Sequence, residues 1–319
     1  MFVGPLKLRA PVIQAPMGAG ISRHELAAAV SEAGGLGTIA VNGAGAIERE
    51  LAAARRLTGA PVAVGVLLPF LRRSWLPAIA KADAVVSFWG RPRRLSPGYW
   101  MHQSGSVEEA AAAHAAGADA VIVQGVEAGG HVRGTTPALE LLAQARATLP
   151  IGYPLVLAGG IAERGDVARA LDAGASAVMV GTRFLLSDES RAHPLYVQRL
   201  LRATRTLRTE LFGFGWPAAP HRVIANAATE RGLRADGSVP PLTRALHRLS
   251  GLTSRYVPDS VRDRLVRRQH AGSRMLSPIT ATDDRGENLI DGGALYAGET
   301  VARITDVRPA AELVAALSP

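Results

Sequence analysis

Short apolar runs alternate with alanine-rich helical stretches over the first 180 residues of the chain. Each run has the length of a buried strand and is bounded by Gly, Pro or polar residues. Strands that alternate with helices pair in parallel, and eight of them favour a closed (β/α)8 TIM barrel over an open doubly wound sheet. The eight predicted strands are Val12–Ala15, Gly37–Ala40, Val62–Val66, Ala84–Phe88, Trp100–Gln103, Ala120–Gln124, Leu155–Ala158 and Ala177–Val180.

The stretches between these strands carry helix start and stop signals. Ser22 and Glu25 have the spacing of a capping box, which predicts a helix running to about Ala33. One unit is short, because two prolines and a glycine in the connection 90–99 leave room for about one helical turn. We therefore expect the fourth helix of the ring to be shortened or missing. The other predicted helices are Ile47–Leu57, Val107–Ala116, Ala138–Ala147 and Gly165–Ala173.

The alternation stops after Gly181. The following residues show helical stretches, such as Pro194–Arg205, between breaks rich in Pro and Gly, and no strand periodicity. This pattern predicts three segments. They are a barrel over residues 1–182, a helical segment packed on the barrel over 183–293, and C-terminal helices that close the barrel over 294–319.

The composition excludes several function classes. The chain has no cysteine, so disulfides, thiolate nucleophiles and Cys-ligated metals are impossible. The net charge of +9 is spread along the chain, and even its densest stretch, 244–268, has no Lys/Arg run of five, so we expect no nucleic-acid partner. The N-terminus lacks a signal-peptide core, and no apolar run approaches the roughly 20 residues of a membrane span. A cytoplasmic enzyme without a membrane partner is the expectation.

Two glycine loops follow the last two predicted strands. Barrels bind phosphate with the loops after strands seven and eight. Gly159 and Gly160 allow the backbone to approach an anion closely. Gly181 and Thr182 offer N–H groups and a hydroxyl at the start of a helix. The four residues therefore predict a phosphate site.

His131 is the candidate catalytic residue. It follows Gly129 and Gly130 in the loop after the sixth strand. An imidazole of near-neutral pKa can take a proton from a carbon acid. In the same stretch, the amide of Gln124 suits a polar ring edge, while a structural role is the first expectation for Glu127. The histidines show no HExxH pattern or paired spacing, so no metal site is expected.

The phrases IQAPMGAG, VQGVEAGGHVRG, LAGGIA and VGTRF resemble the nitronate monooxygenase family, formerly called 2-nitropropane dioxygenases. The barrel-type enoyl-acyl-carrier-protein reductases share much of this signature. The resemblance implies His131 as the base for neutral nitroalkanes, and O2, nitronates or nitroalkanes as substrates. It also implies an FMN cofactor held by Ala15, Pro16, Met17, Gln124, Gly129, Gly160, Met179, Val180, Gly181 and Thr182.

Two positions depart from the family pattern. Gly65 stands where members often carry Asn, and Glu299 stands where Gln is frequent. Three functions stay open on the sequence alone. They are an oxygen-using nitronate monooxygenase, an NAD(P)H-dependent FMN reductase of an enoyl thioester or a quinone, and a non-catalytic flavin-binding protein.

Overall fold

A computed structural model describes residues 4–253, 266, 268–284 and 286–319 of the protein. The chain divides into two compact units. The barrel unit comprises Met1–Ala128, Arg133–Arg191 and Asp306–Pro319, and the second unit comprises Gly129–Val132 and Ala192–Thr305. Part of the basic stretch 244–268, including Arg255 and Arg267, lies outside the described residues.

Eight parallel strands form the sheet of the barrel unit, in the order β1-β9-β8-β6-β5-β4-β3-β2. The predicted (β/α)8 TIM barrel is therefore confirmed, with strand ends shifted by at most one residue. The strands are β1 (Val12–Gln14), β2 (Gly37–Ile39), β3 (Val62–Leu67), β4 (Ala84–Phe88), β5 (Tyr99–Ser104), β6 (Ala120–Gln124), β8 (Leu155–Ala158) and β9 (Ala177–Val180).

The barrel closes between β1 and β2 through a short parallel bridge. Ile13 pairs with Leu36, just before β2. The Leu36 N–H donates to the Val12 carbonyl, and the Gln14 N–H donates to the Leu36 carbonyl, both at 2.9 Å. Closure brings the carboxyl ends of all eight strands to one face, which is where barrels carry their sites.

Helices follow most strands of the barrel unit. They are α1 (His24–Glu32), α2 (Ala44–Leu57), α3 (Leu76–Ile79), α4 (Val107–Ala115), α5 (Ala138–Thr148), α6 (Arg164–Asp172), α7 (Thr182–Leu185) and α12 (Ala310–Leu317). Residues 89–98, all of which the structure describes, form no helix between β4 and β5. The expected defect in the fourth unit is thus confirmed.

Trp100 covers the outer face of the barrel where this helix is missing. Its side chain is fully buried, and its Nε1 donates to Ser87 Oγ at 2.7 Å. Ser87 Oγ also lies 2.8 Å from His102 Nδ1, so the polar atoms beneath the ring are paired. The large aromatic side chain of Trp100 thereby covers the outer surface of the strands, which a helix covers elsewhere in the ring.

The capping box expected at Ser22 is wrong. The residue before α1 is Arg23, whose side chain makes no capping hydrogen bond, and the first N–H of the helix, that of His24, donates to Glu50 Oε2 at 3.0 Å. Ser22 is fully buried, and its hydroxyl accepts from the Met17 N–H and from Gln14. The hydroxyl is turned into the strand-end loop because buried donors there need an acceptor.

The second unit contains a small antiparallel sheet. Strand β11 (His221–Val223) pairs on one side with β10 (Leu207–Thr209) and on the other with β7 (Gly130–His131). The sequence indicated helices alone after Gly181, and three-residue strands are too short to show alternation. In the described part of 183–293 no residue joins the barrel sheet. In the described part of this unit, the α-helices include α8 (Pro194–Arg202), α9 (Ala227–Gly232), α10 (Pro241–Thr253) and α11 (Asn288–Gly292).

The C-terminal stretch divides between the two units. Glu299–Arg303 form a 3₁₀ helix in the second unit, whereas α12 belongs to the barrel unit. The division into residues 1–182, 183–293 and 294–319 stays a prediction. In the described part of the chain, no helix is both long and apolar enough to cross a membrane.

Candidate active site

The loop that follows β1 is built around two buried polar side chains. Gln14 Nε2 donates to Ser22 Oγ at 2.9 Å, and Gln14 Oε1 accepts from the Thr38 N–H at 2.9 Å. Ser22 Oγ also accepts from the Met17 N–H at 3.0 Å. These bonds fix the loop that carries three of the predicted flavin contacts. The sequence did not single out Gln14 as a positioning residue, although a buried amide at a strand end is a signal for one.

The two predicted phosphate loops leave adjacent strands. Gly159–Gly160 follow β8 and Gly181–Thr182 follow β9, and these strands pair in parallel. The Ala15 N–H donates to the Val180 carbonyl at 2.9 Å, which joins the loop after β1 to the same group. The barrel unit therefore brings these sequence-predicted residues together at one face.

Two glycines in the loop after β8 have different roles. Both adopt left-handed backbone conformations, with φ of 105° at Gly159 and 74° at Gly160. A Cβ at Gly159 would lie 3.2 Å from the Ala128 N atom, so this position is needed for close packing. A Cβ at Gly160 would meet nothing within 4 Å. Open space beside the Gly160 backbone is what the approach of an anion requires.

The loop after β6 begins in the barrel unit. Gln124 ends the strand and is almost fully buried. The Glu127 carboxylate accepts from the Ala138 N–H, at 3.1 Å and 3.0 Å, at the start of α5. An acidic group is favourable at a helix N-terminus. Glu127 thus has the structural role that the sequence indicated.

Gly129 and His131 belong to the second unit. A Cβ at Gly129 would lie 2.5 Å from the Gly298 N atom and 2.6 Å from the Ala297 carbonyl carbon. Only glycine permits this approach of two backbones. His131 lies in β7, where it is the register partner of His221.

Aromatic rings surround His131 within the second unit. Its imidazole is stacked on the Trp216 indole, with ring centroids 4.1 Å apart and planes inclined by 26°. The His221 ring is 5.3 Å away in an edge-on arrangement, and the Tyr296 ring is 5.6 Å away. Burial lowers the pKa of His131 well below its ordinary value, and His221 lowers this pKa further. His131 is therefore neutral, as a proton acceptor must be.

The tautomer of His221 follows from its own hydrogen bonds. Its Nε2 accepts from the Phe212 N–H at 3.4 Å, and its Nδ1 lies 3.0 Å from the Ala219 carbonyl and donates to it. Burial lowers the pKa of His221 to about 4. Both ring nitrogens of His221 are hydrogen-bonded and the ring is neutral, so it places no positive charge beside His131.

Each of the two residues that depart from the family pattern, Gly65 and Glu299, contacts a neighbouring side chain. A Cβ at Gly65 would lie 3.0 Å from Pro16 Cγ and closer still to Pro16 Cβ, so the proline ring fills the space of a larger side chain. Glu299 Oε1 lies 2.9 Å from Nη2 of Arg222, whose side chain is buried. The carboxylate at position 299 therefore neutralises a buried guanidinium.

The sequence model of the family described as nitronate monooxygenase matches residues 3–81 and 99–319. The chain belongs to the nitronate monooxygenase family. The stretch that the family model skips contains β4 and the connection 89–98 that replaces a helix.

Curated relatives support this membership. A nitronate monooxygenase of Pseudomonas aeruginosa is 34% identical over 308 residues, covering 76% of this chain and 83% of that protein. A protein of Mycobacterium tuberculosis named (3aS,4S,5R,7aS)-5-hydroxy-7a-methyl-1-oxo-octahydro-1H-indene-4-carboxyl-CoA dehydrogenase is 30% identical, covering 95% of this chain and 90% of that one. Both names describe oxidoreductases, and this family member is an oxidoreductase.

Solved structures share the fold. Nitroalkane oxidase from Streptomyces ansochromogenes gives a TM-score of 0.74 at 29% identity, over 98% of this chain and 95% of that one. FabK from Thermotoga maritima gives a TM-score of 0.75 at 24% identity, over 98% and 92%. At 24% identity, the similarity to FabK shows a shared fold alone.

Proposed function

We propose that this family member is an FMN-dependent nitronate monooxygenase. It oxidises alkyl nitronates and nitroalkanes with O2 to carbonyl compounds and nitrite. The observation that carries the proposal is His131, a half-buried neutral imidazole held by an aromatic stack in the loop where the family signature lies. The relatives named nitronate monooxygenase and nitroalkane oxidase support the same substrate class.

The strand-end face of the barrel unit fits a flavin phosphate. A Cβ at Gly160 would meet nothing within 4 Å, so the backbone of this loop leaves space for an anion to approach. When bound, FMN supplies the electron acceptor for the nitronate and the reductant for O2. The residues proposed to hold it are Ala15, Pro16, Met17, Gln124, Gly129, Gly159, Gly160, Met179, Val180, Gly181 and Thr182.

His131 has the role of general base in this proposal. A neutral nitroalkane is a carbon acid, and its α-proton must leave before oxidation. The His131 imidazole accepts that proton, and a low pKa keeps the acceptor form populated at neutral pH. The indole face of Trp216 lies against the imidazolium that forms. Nitronates have already lost the proton and do not need this step.

One relative favours a second candidate function. The dehydrogenase of Mycobacterium tuberculosis covers more of the chain than the Pseudomonas enzyme does. An NAD(P)H-dependent FMN reductase acting on an enoyl thioester or a quinone is therefore the alternative. Membership in a family of oxidoreductases disfavours a non-catalytic flavin-binding protein.

Anaerobic mixing separates these functions. The purified protein is expected to be yellow and to release unmodified FMN on acid treatment. Mixing it without oxygen with a nitronate, and separately with NADH, is followed by the flavin absorbance. Bleaching by the nitronate alone supports the monooxygenase, and bleaching by NADH alone supports the reductase. A colourless protein that takes up no FMN on titration contradicts both.

A further inference from the structure

The connection between β4 and β5 forms a groove on the barrel unit. Leu68, Pro69 and Ala116 give it apolar walls, and Arg91, Arg93 and Arg94 add three guanidinium groups. The groove has a volume of about 610 Å³, and its lining contains no acidic residue. Sites for small molecules have volumes of about 300–1,000 Å³ and combine apolar walls with few charged groups.

Arg94 anchors the connection and does not contribute free charge. Its Nη1 and Nη2 donate to the two carboxylate oxygens of Asp119 at 3.0 Å and 2.8 Å. Its Nη1 also donates to the Gly98 carbonyl at 3.2 Å, and the guanidinium lies 5.6 Å from the Trp100 ring centroid. This clamp fixes one end of the groove wall before any ligand arrives.

The other end of the connection is fixed by backbone geometry. Trp89 and Gly90 both have left-handed conformations, with φ of 65° and 87°. A tryptophan adopts this conformation only where its surroundings impose it. The Arg133 guanidinium lies 5.3 Å from the Trp89 ring centroid, and the Phe88 ring packs edge-on against it at 5.1 Å.

Arg91 and Arg93 are left as two exposed cations on this fixed wall. In the described part of the chain neither forms an ion pair. Guanidinium groups bind phosphate through paired hydrogen bonds. Two of them match the charge of a phosphate monoester dianion, and the apolar walls suit an organic portion. The segment lies outside the matched part of the family model.

We propose that the groove between the turn after β3, the 89–98 connection and the residue after α4 binds a phosphorylated organic anion through Arg91 and Arg93. This site is separate from the loops after β8 and β9, which lie at other strands of the barrel. The inference does not depend on which oxidation the protein catalyses.

The test uses the FMN-saturated protein, so that the loops proposed for the flavin phosphate are filled. Adenosine 5′-monophosphate is titrated in a calorimeter, and uncharged adenosine is the matched probe without phosphate. The R91Q/R93Q double variant is compared with R49Q/R56Q, which removes two exposed arginines from α2 and the same total charge. Circular dichroism and the midpoint of urea denaturation check that each variant is folded.

Because hydrogen bonds to charged groups are among the stronger polar contacts, R91Q/R93Q should weaken nucleotide binding by about tenfold or more. The wild-type protein and R49Q/R56Q should bind within about twofold of each other, and adenosine should bind at least about tenfold more weakly than the nucleotide. Three results each overturn the proposal. These are equal weakening in the two double variants, equal binding of adenosine, and no nucleotide binding by the wild-type protein at millimolar concentration.

Discussion

The His131 imidazole lies flat against the Trp216 indole, with ring centroids 4.1 Å apart. Trp216 is itself almost fully buried, so the stack excludes water from one face of the imidazole. Exclusion of water disfavours the charged imidazolium, whereas the electron-rich face of an indole favours it. Trp216 therefore orients the proposed base and limits the cost of charging it.

Replacement of His131 by Asn removes the base and keeps a polar side chain of similar size. Because a general base contributes about 10²–10⁴-fold, turnover of a neutral nitroalkane should fall within that range. Oxidation of the corresponding nitronate should be largely unchanged, since its proton has already left. Steady-state kinetics on both substrates, at equal flavin content, measure the difference. Equal losses on both substrates would assign His131 to binding instead of proton transfer.

The Trp216→Leu variant removes the indole face and keeps an apolar side chain. Loss of a cation–π contact of about 0.5–2 kcal/mol should slow neutral nitroalkane turnover by roughly 2- to 30-fold. Nitronate oxidation should again be spared. Trp216→Phe keeps an aromatic face and should recover most of the rate. If Phe is as slow as Leu, or if both substrates slow together, the indole does not act through His131.

The free energy of unfolding should depend on pH through the buried histidine His221. In the folded protein this residue stays neutral down to about pH 4, because burial lowers its pKa to about 4 from 6.5. The unfolded chain takes up the proton near pH 6.5. Protonation therefore favours the unfolded state between these values, and stability should fall as the pH drops through them.

Urea denaturation at several pH values measures this dependence. His221→Gln should reduce the slope by up to about 1.4 kcal/mol per pH unit. His270→Gln changes an exposed histidine of the same unit and is the control. An unchanged slope in His221→Gln would show that other groups set the acid sensitivity.

Glu299→Gln restores the residue that is frequent in the family and leaves the buried Arg222 without its carboxylate partner. Glu299 is about half exposed, so solvent screens the pair, and the expected loss is about 1 kcal/mol of unfolding free energy. Glu230→Gln replaces an exposed residue of the same unit and is the control, and it should alter the free energy of unfolding by less than about 0.5 kcal/mol. A more stable Glu299→Gln protein would mean that the ion pair does not offset its desolvation.

The chain by itself determined the barrel and the face that carries the candidate phosphate loops. Apolar runs such as Ala84–Phe88 and Ala120–Gln124 mark buried parallel strands, because both faces of such strands are covered. Prolines in the connection 89–98 indicated the missing helix, since proline removes a helical hydrogen bond. These signals are local, so they are visible without a structure.

Only the tertiary structure decided the surroundings of the chemical groups. Ser22 has a helix-capping sequence, but its hydroxyl accepts instead from the Met17 N–H in the half-buried loop after β1. His131 is neutral because Trp216, His221 and Tyr296 pack around it, and these residues come from distant parts of the chain. A pKa depends on burial and on neighbours in space, and neither is encoded in the spacing of residues along the sequence.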